Sequence, residues 1–234
     1  RRLRRPEVSF WRMSVNEAPY FVEAVRRELE AAYGKERVLK GGLKVRTTLD
    51  LELQKAAREA LAAALEAENR EFSEKNPGSK SKVEGGVAAV RPSDGAVLAM
   101  VGGGGFNFQN QLNRARDIRR PMGSSIKPFI FAAAFETGRF SPEDRWIDEP
   151  VTYRLAGGRA WSPQNYDGKY HGEVSLRTAL HRSINSVAVR LLERVGVDAV
   201  IRLMAQATGA PESRFPRNLS LALGAADASP LELA

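Results

Sequence analysis

The chain has 234 residues, of which 43% are apolar and 27% charged, with a formal net charge of +8. That length supports one large domain or one and a half small ones, with a sizeable buried core. The absence of cysteine excludes disulfides, thiolate metal sites and a cysteine nucleophile, and two histidines, His171 and His181, leave little for a histidine-rich metal centre or a Ser-His-Asp triad.

Residues 1–15 read as an extended, basic lead-in, with no apolar stretch behind Arg1–Arg5 to make a signal peptide. Nowhere does an apolar run reach the ~18–20 residues that span a bilayer. Asn16 is placed to cap a helix that opens at Ala18-Pro19; Tyr20, Phe21, Ala24, Val25 and Leu29 supply its stripe, and Gly34 ends it. Leu43–Thr47 alternates apolar and polar residues, which predicts a strand. Asp50 caps a second helix, striped by Leu53, Ala57, Leu61 and Leu65. Residues 72–85 are polar, with Pro77 and Gly78, and predict a loop.

A hairpin follows, with strands at Gly86–Val90 and Ala96–Val101 about a turn at Arg91–Gly95. The glycines 102–105 predict a flexible strand exit; they lack the lysine and serine spacing of a phosphate-binding loop. Phe129–Phe135 is apolar nearly all round and predicts a buried helix ended by Gly138. Residues 139–172 read as irregular. Short helices are expected over Ser175–Leu180, Val187–Val195 and Asp198–Ala207, the last two stopped by Gly196 and Gly209. Ser229-Pro230 has the form of a helix start. A chain that stops at Ala234, inside that first turn, predicts truncation there, and the same is expected at the N-terminus.

A serine hydroxyl needs a base, and with histidine scarce the base is lysine. Ser124 and Lys127 are spaced i, i+3, so one helix face carries both. Gly123 permits tight entry into the helix and close approach by a substrate. A helix N-terminus favours negative charge on the serine oxygen and disfavours an ammonium, and the neighbours Phe129 and Phe131 desolvate the lysine; both effects lower its pKa. The pattern alone says little, because Ser79 and Lys82 repeat it in the polar loop. Ser183-Ile184-Asn185 falls at a helix break, where side chains project into a cleft; Ser14-Val15-Asn16 has the same pattern and reads as a helix lead-in. Asn185 is equally suited to capping the helix that follows it. His171 and His181 read as surface residues. Trp161 and Tyr166 are placed to line a cleft, although packing is the commoner fate of such rings. Arg119 and Arg120 suit either solvent or an anionic substrate.

Several of these segments together resemble the transpeptidase domain of class A penicillin-binding proteins. Asn113-Arg114-Ala115 with Gly123-Ser124-Ser125-Ile126-Lys127-Pro128-Phe129 is similar to that family's first active-site motif and its preface. Leu176–Leu180 with Ser183-Ile184-Asn185 is similar to the second. Trp161–Gly168 resembles the segment between them, Gly42–Asp50 with Leu53-Gln54 the approach to the domain, and Ala222-Leu223-Gly224 with Ser229-Pro230-Leu231 the approach to the third motif. The Lys-Thr-Gly of that third motif is not in this sequence, since Thr137-Gly138 and Thr208-Gly209 both lack the lysine.

The resemblance implies an α/β (α+β) fold, with an antiparallel sheet opening at the hairpin, a helical lobe behind it, the site between them, and an incomplete sheet edge. It implies a linker and lead-in helix over 1–41 and the N-terminal part of the transpeptidase domain over 42–234. It assigns catalysis to Ser124 as acylated nucleophile, Lys127 as its base and Ser183 as proton relay to the leaving group, with Asn185 binding the substrate amide and no cofactor. The implied partners are peptidoglycan stem peptides, β-lactam antibiotics, a preceding glycosyltransferase domain, the rest of the transpeptidase domain and cell-wall synthesis proteins, with no specific nucleic acid. The implied location is the extracytoplasmic face of the bacterial cytoplasmic membrane. Without the third motif, the segment alone is expected to be inactive. A serine β-lactamase or β-lactam sensor, and a non-enzymatic basic module binding polyanions or a partner, are the alternatives; the long lead-in and the 161–168 segment weigh against the β-lactamase.

Overall fold

The computed structural model describes residues 16–154, 157–158 and 160–234. The basic lead-in expected over 1–15 lies outside them. The chain divides into two compact units, one holding the described residues through Asp117 and the other running Ile118–Leu233.

In the first unit, helix α1 (Pro19–Tyr33) starts with proline in its first turn and ends at Gly34, φ 82. Ala18, not Asn16, is its N-cap; Asn16 Oδ1 accepts the Ala18 N–H at 3.2 Å, two residues too early to cap the helix. A short helix, α2 (Lys35–Lys40), follows; it buries no residue and so left no apolar stripe to detect. Residues 42–50 form no ladder strand. Alternation reports an extended backbone, and this segment hydrogen-bonds to strand β2 (Val97–Val101) through Thr48 Oγ, which donates to Val97 O at 2.6 Å, and the Asp50 N–H, which donates to Leu98 O at 2.9 Å. Asp50 caps α3 (Leu51–Lys75), accepting the Leu53 N–H at 3.0 Å. The helix continues into the expected loop because Ser73 Oγ donates to Asn69 O and Lys75 pairs with Glu71 one turn back.

Strand β1 (Val87–Val90) pairs antiparallel with β2. Tyr20, Ala57, Leu61, Ala99 and Val101 form the core of this unit. Gly102 and Gly103 are packing glycines, which corrects the expectation of a flexible exit for that pair, whereas a Cβ on Gly105 would meet nothing within 4 Å. A Cβ on Gly102 would lie 2.7 Å from Asn113 Cα and from the Tyr20 ring, and one on Gly103 would lie 2.8 Å from the Tyr20 hydroxyl.

The second unit opens with β3 (Arg120–Pro121), a 3₁₀ turn over Gly123–Ile126 and helix α4 (Lys127–Glu136). Four short strands then occupy the stretch expected to be irregular: β4 (Arg145–Asp148), β5 (Tyr153–Arg154), β6 (Ala160–Trp161) and β7 (Gly172–Ser175). β4 pairs with β7 and β5 with β6, each as a two-stranded antiparallel ladder; elements two to four residues long are too short to display a period.

Ser175 caps α5 (Leu176–His181) through the Thr178 N–H. Helices α6 (Asn185–Val195) and α7 (Val197–Thr208) stop at Gly196 and Gly209, as the sequence predicts. β8 (Asp227–Ala228) pairs with β3, and α8 (Pro230–Leu233) opens with a capping box in which the Ser229 N–H donates to the Glu232 carboxylate at 2.9 Å and the Glu232 N–H to Ser229 Oγ at 3.2 Å.

The core of this unit lies among α4, α6 and α7, where Ile126, Ile130, Phe131, Val187, Leu191, Leu192, Ile201 and Met204 are buried. Burying each such side chain contributes about 1.5–3 kcal/mol, which makes this core a rigid base for whatever projects from its edges. The mixed helix-and-sheet α/β architecture agrees with the expected class.

Candidate active site

Gly123, at φ 54, turns the chain out of β3 and into the 3₁₀ turn. Gly224, at φ 79, backs onto it so closely that a Cβ there would lie 2.1 Å from Gly123 N. The turn presents Ser124 to solvent and hands Lys127 to α4 as its first residue, with Pro128 next, where a missing N–H costs nothing. Lys127 is 1% exposed, the largest fully buried side chain among the described residues. A charge in that position has to be satisfied by its neighbours or be lost.

The opposite wall is the break between α5 and α6. The Ser183 N–H donates to Leu180 O and the Ile184 N–H to Ala179 O, which tightens the last turn of α5. Ser183 itself sits at φ 55 and is the one non-glycine residue with positive φ among the described residues. A left-handed serine is unfavourable by about 1–2 kcal/mol, and such strain collects at functional sites.

The two walls meet through hydrogen bonds. Lys127 Nζ donates to Ser183 O at 2.5 Å, to Ser183 Oγ at 2.9 Å and to Asn185 Oδ1 at 2.6 Å. Ser183 Oγ donates to Ser124 Oγ at 2.9 Å. The four residues singled out in the sequence are therefore one connected group, with Ser183 standing between Lys127 and Ser124. Burial pushes the Lys127 ammonium down to about 8. Ser79 and Lys82, the repeat of the motif, are exposed in a loop.

A second set of residues went unread in the sequence. Asp148, at the end of β4, is a buried carboxylate. It accepts from Asn165 Nδ2 at 3.0 and 2.9 Å, from the His171 N–H at 2.9 Å and from Ser186 Oγ, and its Oδ2 lies 2.8 Å from His171 Nδ1. Burial opposes its charge, but the hydrogen bonds from Ser186, Asn165 and His171 prevail and hold the carboxyl below its ordinary value.

Asn165 passes this anchorage on. Its Oδ1 accepts the Asn185 N–H at 2.8 Å, which satisfies the first donor of α6, and next to it Gln164 O accepts from Asn185 Nδ2 at 2.7 Å. Asn185 is thus the first residue of α6 rather than its cap, and its side chain is fixed from both ends. His171 is not a plain surface residue, since its ring lies between Asp148 and Asp167. The short strand β4 hid Asp148; an aspartate just after the apolar pair Trp146-Ile147 was the available signal.

Ser124, Asn165, Asp167, Arg182, Ser183 and Asn185 are among the residues lining a cavity of about 770 Å³. The ring of Tyr166 stands fully exposed at its edge, whereas Trp161 is half-buried and packs on Tyr153 with ring centroids 5.8 Å apart. Arg119 donates to the Glu232 carboxylate at 2.9 and 3.1 Å. All four expected site residues belong to the second unit. No helix among the described residues is long and apolar enough to cross a membrane.

Residues 85–210 match the family model described as the penicillin binding protein transpeptidase domain. Penicillin-binding protein 1B of Escherichia coli K12 is 33% identical over 223 residues, which is 94% of this chain and 26% of that protein. Penicillin-binding protein 1A of Neisseria flavescens is 36% identical over 154 residues, 65% of this chain and 19% of that protein. The chain thus spans about a quarter or less of these relatives. Among solved structures, Haemophilus influenzae penicillin-binding protein 1A superposes with a TM-score of 0.75 at 24% identity, over 92% of this chain and 45% of that one. PonA1 of Mycobacterium tuberculosis, solved in complex with penicillin V, gives 0.70 at 26% identity, over 91% and 56%.

Proposed function

We infer function from membership: the chain belongs to the penicillin-binding protein transpeptidase family. The reading best supported is peptidoglycan cross-linking by a serine acyl-enzyme on Ser124, at the extracytoplasmic face of the bacterial cytoplasmic membrane, in the natural protein that carries this segment. The observation behind it is the chain of hydrogen bonds from buried Lys127 through Ser183 to exposed Ser124.

With Lys127 neutral, its lone pair accepts the Ser183 proton while Ser183 Oγ accepts that of Ser124. Ser124 Oγ then bonds to the penultimate D-Ala carbonyl carbon of a stem peptide. The Ser124 N–H, at the start of a helical turn, is placed to stabilise the oxyanion. The C–N bond to the terminal D-Ala breaks, and the leaving amine takes the proton held by Lys127 and Ser183. Asn185, fixed by Lys127 and Gln164, holds the substrate amide. An amine from a second stem then attacks the acyl carbon; the ester C–O bond to Ser124 breaks, and the amine's proton passes by way of Lys127 and Ser183 to Ser124 Oγ as the cross-link forms.

A β-lactam enters the same path and leaves Ser124 acylated. Rapid release of hydrolysed antibiotic would instead identify a β-lactamase, and deacylation of penicillin-labelled protein separates the two: the proposal expects a long-lived adduct. The glycosyltransferase domain, the remainder of the transpeptidase domain and cell-wall synthesis proteins are the partners this reading brings with it.

A further inference from the structure

The second unit carries another cavity, of about 680 Å³, which shares no lining residue with the Ser124 cavity. Its wall is built from β4, the segment after it and the outer face of α6. Phe140, Trp146 and Tyr153 are half-buried there, with the Phe140 and Trp146 ring centroids 6.0 Å apart. Four arginines line it: Arg139, Arg145, Arg190 and Arg194. Arg190 is already committed, donating to Ile147 O at 2.8 Å and to Glu149 at 3.1 Å. Among the described residues the one carboxylate in the lining, Glu193, accepts from the Tyr153 hydroxyl at 3.2 Å. Arg139, Arg145 and Arg194 are exposed and have no carboxylate partner among the described residues, and the Arg139 guanidinium lies 5.6 Å from the Phe140 ring centroid.

Three exposed guanidinium groups around a half-buried aromatic floor are ill suited to a purely apolar ligand and to a bare inorganic anion alike. The first would leave the cations unused, and the second would leave the rings wet. The volume lies within the roughly 300–1,000 Å³ typical of ligand sites. Guanidinium groups bind carboxylates through paired N–H donors, and aromatic pockets accept a ring or an aliphatic chain as an anchor. We propose that this cavity is a docking site for an acidic peptide segment of a partner protein, with carboxylates reaching Arg139, Arg145 and Arg194 on either side of an apolar side chain seated on Trp146 and Phe140.

The test is calorimetric titration of the full-length natural protein with acetyl-Glu-Glu-Phe-Glu-Glu-amide. The controls are the Gln-Gln-Phe-Gln-Gln and Glu-Glu-Ala-Glu-Glu analogues and inorganic phosphate. The expected result is saturable binding of the first peptide. Each analogue should bind at least tenfold more weakly, and phosphate should fail to displace the peptide at equal concentration. The double variant Arg145→Gln/Arg194→Gln should lose at least tenfold in affinity while its circular dichroism and penicillin labelling stay at the parent level; Arg139→Gln, away from both β4 and α6, should weaken binding independently. Equal affinity for the Ala analogue would reduce the effect to general attraction by a basic protein and overturn the proposal. So would displacement by phosphate, or unchanged binding in the variants.

Discussion

Ser183 places its hydroxyl 2.9 Å from Ser124 Oγ, on a backbone held left-handed at φ 55. The same hydroxyl lies 2.9 Å from Lys127 Nζ, so one strained residue joins the buried amine to exposed Ser124. The proposed acylation therefore routes the Ser124 proton to Lys127 through Ser183, where i, i+3 spacing alone suggested direct transfer.

The relay separates chemistry from strain at Ser183. Ser183→Ala and Ser183→Gly both remove the hydroxyl and should slow acylation by a fluorescent penicillin about 100-fold or more. Glycine tolerates positive φ, so the Gly variant should be more stable than the Ala variant by about 1 kcal/mol in urea unfolding. Equal stability of the two would show that the backbone stores no strain.

Lys127 should set the pH dependence. Its pKa is lowered to about 8 by burial, so the neutral, proton-accepting form is the minority species below that pH and the majority above it. Acylation should therefore rise close to tenfold per unit up to about pH 8 and then level off. Lys127→Arg, which stays charged, should abolish the rise. A flat profile in the parent would remove lysine from the base role.

Asp148 should matter well beyond its own position. Asp148→Ala strands the donors of Asn165, Ser186 and His171 and should cost roughly 2–4 kcal/mol of stability. Because its folded pKa lies below the ordinary 3.8, its contribution is complete above that value and is lost as pH falls through the lower folded one. Urea melts of parent and Asp148→Asn should therefore differ most near neutrality and converge in acid. Acylation by the Asn variant should also fall, since Asn165 loses the anchor that fixes Asn185.

Most of the helices and the Ser124–Lys127–Ser183–Asn185 group were legible because their signals are local. Asp50, Ser175 and Ser229 are caps, Gly34, Gly196 and Gly209 are stops, and the site residues lie in short strings. Asp148, Asn165, His171 and Ser186 were not, because their relationship spans 38 residues of sequence and rests on burial, which no spacing reports. Gly102 and Gly103 were misread for the same reason: their neighbours Tyr20 and Asn113 are distant in the chain.

Gly224 is a position where such long-range packing should be visible. Gly224→Ala puts a methyl 2.1–2.3 Å from the Gly123 backbone and forces a non-glycine residue to φ 79. A loss of at least about 2 kcal/mol in stability is expected, with penicillin labelling falling further than stability alone explains, because the displaced turn carries Ser124. Labelling that simply tracks the folded fraction would contradict the second half of that statement.

The central claim is that Ser124 is acylated. Full-length protein treated with fluorescent penicillin, digested and mapped by mass spectrometry, should carry the adduct on the peptide containing Ser124 and on no other, and Ser124→Ala should carry none. An adduct on Ser183, Ser79 or any other serine, or full labelling of Ser124→Ala, would contradict it.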